Sequence, residues 1–162
     1  MRIGQGVEWA IHCCVVLASI PPERALPGAK LAELHGVPAA YLAKHLQALS
    51  QAGIVEAVPG RRGGYRLARS AYELTLLEIV EAVEGATPAF RCTEIRQRGP
   101  VPGPRTDFRR PCGVAEAMRA AEEAWRRELR RTTVVDLLVR VGESVSPVTI
   151  RKMATLLQEA MR

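Results

Sequence analysis

The sequence predicts a mainly α-helical chain with one small β-hairpin, arranged as a winged helix-turn-helix followed by a long dimerisation helix. Three observations carry that expectation. Residues 36–69 read GVPAAYLAKHLQALSQAGIVEAVPGRRGGYRLAR, a leucine-spaced helix running into a glycine-rich basic hairpin. Residues 112–131 place a narrow apolar stripe among charges, as in a helix that packs on its own domain or, the reading favoured by the two half-sites of most helix-turn-helix proteins, seams against a second copy. Between these stretches lies a proline-rich segment, 86–111, with Cys92 near its start and Cys112 just beyond its end.

Residues 7–20, VEWAIHCCVVLASI, form the first expected helix, with Val7, Ala10, Ile11, Cys14, Leu17 and Ala18 on its apolar face. Glu8 and His12 are four apart. That spacing stacks them on one side, close enough to hold one metal centre together or simply to bond each other. Cys13 and Cys14 suit the role of small core residues. Pro21-Pro22 stops this helix, and a short one from about Gly28 to Leu34 turns Leu31 and Leu34 inward to brace its successor. His35 closes it, where a helix C-terminus favours a cation.

Pro38 suits a first helical position, and Leu42, Leu46 and Leu49 follow at spacings of four and three until Ala52-Gly53. Ile54-Val55 and Tyr65-Arg66-Leu67 read as strands joined by the tight connection Pro59–Gly64. Between Pro59 and Arg69 stand Arg61, Arg62, Arg66 and Arg69 with no acid, the footprint expected of a phosphate contact. A helix and hairpin of this kind also suit other small α+β domains. In the winged-helix reading, Ala40, Tyr41, Lys44 and His45 face the major groove, and Arg61 and Arg62 meet phosphate or the minor groove.

Thr75 with Glu78 makes a capping box ahead of Ile79, Val80 and Val83, and Gly85 ends that helix. The segment Ala86–Pro111 carries Pro88, Pro100, Pro102, Pro104 and Pro111, and a loop of this length is usually functional or disordered. From Cys112 to Arg131 the stripe is Val114, Met118, Ala121, Trp125 and Leu129. Thr132-Thr133 precedes a short helix with Val134, Leu137 and Leu138. Ser146-Pro147 caps a last one with Ile150, Met153, Leu157 and Met161. The expected division is a DNA-binding domain over 1–85, a cluster-binding loop over 86–111, the dimerisation helix and a short helix over 112–141, and a C-terminal helix over 142–162.

At 162 residues the chain has room for one domain with an added helix or two. Its 23 basic and 17 acidic residues give a net charge of +6, which suits a polyanionic partner. Only 4% of residues are aromatic, which disfavours a single-strand binder built on stacked rings and favours duplex DNA. No run reaches the ~18 apolar residues of a membrane span. Val7–Ile20 contains Glu8 and His12 with no basic cluster before it, so a signal peptide is not expected and a cytoplasmic location is. There the four cysteines stay reduced, and metal or redox duty becomes the alternative to burial. No oxyanion loop, phosphate loop or nucleophile motif accompanies Glu8 and His12, so an enzyme is not expected.

The segments RRGGYRLAR and LTLLEIVEAVEG, followed by a cysteine-bearing loop and a long helix, resemble the bacterial winged-helix regulator family that includes IscR and NsrR, over roughly residues 1–140. The resemblance implies a homodimer that binds palindromic promoter DNA. In many members three loop cysteines hold an iron-sulfur cluster, whereas here only Cys92 and Cys112 are present and Phe108 stands where a third might be. The segments GVEWAIHCCVVL, AELHGV, FRCTEIRQRGP and PCGVAEAM are similar to a redox-responsive branch of that family. In that branch a 2Fe-2S cluster is shared across the dimer interface. The resemblance thereby implies Cys92 and Cys112 from one subunit and Glu8 and His12 from its partner; Trp9, the neighbour of Glu8, and His35 are the residues expected to couple redox state to DNA affinity. A Cys92/Cys112 thiol switch and a zinc site on the same side chains are the alternative chemistries.

Overall fold

The computed structural model describes residues 3–61, 63–100 and 103–161. Arg62, one of the two arginines expected at the hairpin tip, lies outside the described residues. Helix α1 (Gln5–Ala18) is the centre of the molecule. Its buried face is Val7, Ala10, Cys13, Cys14, Val15 and Leu17. Cys13 and Cys14 are therefore core side chains, and burial pushes the Cys13 thiol up to about 12 and Cys14 higher still. That removes both from thiolate chemistry.

Helices α2 (Gly28–His35) and α3 (Ala39–Gln51) form the helix-turn-helix. Gly36 ends α2 at φ 62°, a left-handed conformation suited to glycine. Pro38, expected as the first helical residue, instead takes the N-cap position, because its extended ψ of 122° keeps it out of the helix, which starts one residue later at Ala39. Leu42, Leu46 and Leu49 are all buried, as their spacing requires. Gly53 then turns the chain at φ 67° into β1 (Val55–Val58).

Strand β1 pairs antiparallel with β2 (Gly64–Leu67), in register from Val55↔Leu67 to Val58↔Gly64. Leu26, in the link before α2, forms an isolated antiparallel bridge to β2: its N–H donates to Tyr65 O at 2.9 Å and its carbonyl accepts from Tyr65 N–H at 2.8 Å. A Cβ at Gly64 would stand 2.2 Å from Leu26 O, so this close approach requires glycine. The wing is thus fastened to the helical body by backbone hydrogen bonds.

The Thr75–Glu78 capping box opens α4 (Leu76–Glu84) as expected. Helix α5 (Gly113–Arg131) leaves the body, joined to α4 by the Arg126–Glu81 ion pair. Its sole buried residue is Ala115, while Val114 and Met118 of the expected stripe are 65% and 43% exposed. Helix α6 (Val134–Ser144) starts with a second capping box, Thr133–Asp136, and Val134 N–H donates to Leu74 O. Helix α7 (Pro147–Ala160), capped by Ser146, returns Leu157 to the main core, and Arg24 donates to Met161 O at 3.0 Å. The two last helices therefore share the core of α1 rather than hanging from it. No helix of the described residues is long and apolar enough to cross a membrane.

Candidate nucleic-acid interface and metal ligands

On α3 the leucines fix which side is buried, and Ala40, Tyr41, Ala43, Lys44 and Gln47 are left exposed. Lys44 Nζ lies 5.5 Å from the centroid of the Tyr41 ring, which presents a cation and an aromatic edge together. Gln47 was not among the expected contacts; its spacing of three from Lys44 is the signal that places it on the same face. His45 behaves differently from the other expected contacts. Its half-buried ring meets Trp9 of α1, centroids 5.9 Å apart and planes at 74°, and covers Gly6. His45 is thereby taken up by the α1–α3 contact and is not part of the free face.

The wing also resolves into unequal arginines. Arg66 is paired with Glu56 across the hairpin at 2.7 Å, and Arg69 with Glu78 of α4 at 2.7 Å. The apparent one-sign cluster between Pro59 and Arg69 is partly neutralised by acids that lie outside that stretch. Arg61 is exposed at the turn.

Of the four expected metal ligands, the structure brings two together. Cys92 Sγ and Cys112 Sγ are 4.0 Å apart. For a tetrahedral metal with ~2.3 Å metal–sulfur bonds, two sulfurs lie ~3.8 Å apart, so the pair fits joint ligation of one metal. Cys112 is the N-cap of α5, and Ala115 N–H points at its sulfur at 3.3 Å. A helix N-terminus favours negative charge there, which suits a thiolate ligand. Cys92 is exposed, and both sulfurs face an open depression lined also by Phe90, Pro111 and Arg119.

Glu8 and His12 stand apart from the sulfurs as a second pair, exposed on α1 at helical spacing. Among the described residues no group of three or more His, Cys, Asp or Glu side chains converges on one metal position. Within one chain the donors form two half-sites. The α1 half-site is braced from behind: the His12 ring lies 5.5 Å from that of His35 at the end of α2. His35 Nε2 is buried without a hydrogen-bond partner. Burial, then the neighbouring His12, pushes the His35 pKa down. His35 is thus held towards the neutral imidazole, and the expected dipole-stabilised cation is not what its surroundings favour.

The family described as Rrf2, iron-dependent transcriptional regulator, matches residues 3–140. Protein aau3 of Rhizobium meliloti (strain 1021) is 33% identical over 138 residues, covering 85% of each chain. Among solved structures, T. potens IscR superposes with a TM-score of 0.68 at 20% identity, covering 90% of this chain and 92% of that one. Oxidized Staphylococcus aureus CymR superposes with a TM-score of 0.64 at 21% identity, covering 85% and 96%. At such identities these two structures speak for the fold. The family match ends inside α6, so α7 lies beyond it.

Proposed function

The chain belongs to the Rrf2 family of DNA-binding transcriptional regulators, and we propose that it is a redox-sensing member whose affinity for palindromic promoter DNA is set by a 2Fe-2S cluster shared between two subunits. Cys92 and Cys112 of one subunit hold one side as thiolates, and Glu8 and His12 of the partner subunit hold the other. When bound, the cluster supplies a one-electron couple whose potential imidazole ligation raises relative to all-thiolate ligation. The observation that carries this reading is the 4.0 Å sulfur pair at the N-terminus of α5. It is supported by two donors that project from α1 into solvent instead of into their own chain.

The chain's own residues supply the transmission. Glu8 and His12 sit on α1, Trp9 between them touches His45 of α3, and His12 touches His35 of α2. A shift of the α1 ligands moves Trp9 and His35 and so tilts the reading helix. Ala40, Tyr41 and Lys44 of α3 enter the major groove, and Arg61 and Arg62 of each wing meet phosphate. The uncovered Val114 and Met118 on α5 form the seam with the second copy.

Anaerobic purification, with absorption, iron and sulfide assays before and after dithionite, tests the cluster, and promoter binding in both states tests the switch. The expected result is a red-brown dimer with about two iron and two sulfide per cluster that bleaches on reduction and changes its DNA affinity. The same sulfur spacing suits zinc or a thiol pair. A colourless protein that carries zinc, or that loses two thiols to peroxide, would overturn the cluster and leave the DNA-binding regulator standing.

A further inference from the structure

Among its described residues the regular structure of the cysteine-bearing segment is two 3-10 turns, Ile95–Gln97 and Arg105–Phe108, yet its two ends are tied together by one side chain. Glu94, two residues after Cys92, has φ 50° and is the one non-glycine residue with positive φ among the described residues. That is a conformation L side chains rarely adopt, so the surroundings must hold it. It brings the Glu94 carboxylate onto Arg96: Nε donates to Oε1 and Nη2 to Oε2, the latter at 2.9 Å, a two-pronged pairing. Nη2 of Arg96 also donates to Arg110 O at 3.4 Å, and its guanidinium carbon lies 5.2 Å from the centroid of Phe108. Phe108 and Arg110 lead directly into Cys112. One guanidinium therefore touches the chain that follows the first thiol and the chain that precedes the second.

We propose that Arg96 is a positioning residue, a clip that, with Glu94, holds the Cys92 and Cys112 segments at ligand separation and sets a positive charge beside both sulfurs. The assignment rests on the cluster reading for its redox consequence but not for its geometry. The Glu94 hydrogen bond, and to a smaller extent the nearness of Cys112 and Cys92, hold the Arg96 guanidinium protonated more firmly, which puts its charge within electrostatic reach of both sulfurs. A reduced cluster carries one more negative charge than an oxidised one, so a cation here favours the reduced state. Arg96→Gln removes the cation, leaves Glu94 unopposed and releases Arg110 and Phe108. Arg96→Lys keeps the charge and loses the fork.

Two readouts test this. In the metal-free reduced dimer, diamide takes two electrons and two protons from Cys92 and Cys112, forming a disulfide and the hydrazine. Arg96→Gln and Glu94→Gln are expected to slow that closure about tenfold, because the sulfurs no longer meet. In the cluster-loaded dimer, Arg96→Gln is expected to lower the one-electron reduction equilibrium about tenfold, ~59 mV, whereas Arg96→Lys stays near wild type. Arg109→Gln, which removes an equal charge from the same loop, serves as the control. Disulfide closure at the wild-type rate in Arg96→Gln, or an equal potential shift in Arg109→Gln, overturns the clip. A wild-type protein that takes up no cluster defeats the cluster reading alone, and the diamide rate still decides Arg96.

Discussion

The contact between α1 and the reading helix can be broken by one methyl group. A Cβ at Gly6 would stand 2.2 Å from Cε1, 2.5 Å from Nε2 and 2.8 Å from Nδ1 of His45. Ordinary carbon–carbon contact needs about 3.5 Å, so in Gly6→Ala the ring must retreat by more than 1 Å. Retreat ends its edge-on packing against Trp9, a pair worth about 0.5–1.5 kcal/mol, and adds an overpacking cost of about 1–3 kcal/mol. Alanine's better helix propensity offsets up to about 1 kcal/mol. The net loss expected in chemical denaturation is about 0.5–4.5 kcal/mol, nearer the low end the more freely the ring swings aside. His45→Ala removes the ring the methyl would strike, so Gly6→Ala should cost little in that background, and the cycle should show a coupling of about 1.5–4.5 kcal/mol, the ring-packing and overpacking terms together. Fluorescence anisotropy on promoter DNA, oxidised and dithionite-reduced, reads the function: Gly6→Ala should shrink the affinity ratio between the two states. An additive cycle would refute the contact. A strongly coupled cycle with an unchanged redox ratio would refute the route from α1 to α3.

Arg61→Ala is expected to weaken binding to all sequences alike and to lower the slope of log K against log salt by about 1.8, roughly 0.9 for each of the two wings of a dimer; an unchanged slope removes Arg61 from the phosphate contact. A mixed dimer of a Glu8→Ala/His12→Ala subunit with a Cys92→Ala/Cys112→Ala subunit keeps one complete shared site and should hold half the wild-type iron, whereas donors acting within one chain would leave none. Glu78 gives a pH signature. Burial alone would raise its carboxyl, but the Thr75 backbone N–H, Arg69 and the Thr75 hydroxyl bring it below its ordinary value of 4.5. The folded state thus holds fewer protons than the unfolded one, and the stabilisation is present above pH 4.5 and lost as the pH falls below it. Glu78→Gln should cost about 1 kcal/mol or less at pH 7, the side chain being partly solvated, and the difference from wild type should close towards pH 3 in acid-dependent urea melts.

What the sequence made legible were features whose cause is local. Leu42, Leu46 and Leu49 declare the buried side of α3 by spacing alone, and Thr75–Glu78 and Ser146-Pro147 declare two helix starts by capping chemistry. The second capping box, Thr133–Asp136, has the same three-residue spacing with aspartate in place of glutamate. What escaped depends on partners distant in the chain. Leu26 gives no sign in its neighbours that it will pair with Tyr65, and nothing between Pro59 and Arg69 reveals that Glu56 and Glu78 will take two of the arginines. His45 lies one position from Lys44, yet helical geometry turns it towards α1, where Gly6 leaves room for a ring.

The separation of the donors into two half-sites follows from what each half is attached to. Val7, Ala10, Cys13, Cys14 and Leu17 lock one face of α1 into the core, so Glu8 and His12 on the other face ride on a rigid element that also touches α2 and α3. The sulfurs ride instead on the mouth of α5 and on a loop that Arg96 ties to the chain before Cys112. A close-packed core answers displacement by shifting as a unit rather than by bending. In the proposed dimer a ligand change at the shared site therefore finds one side that yields and one that moves as a body. The body is the one that carries the reading helix, and a single subunit, holding two donors of each kind out of reach of one another, has nothing to transmit.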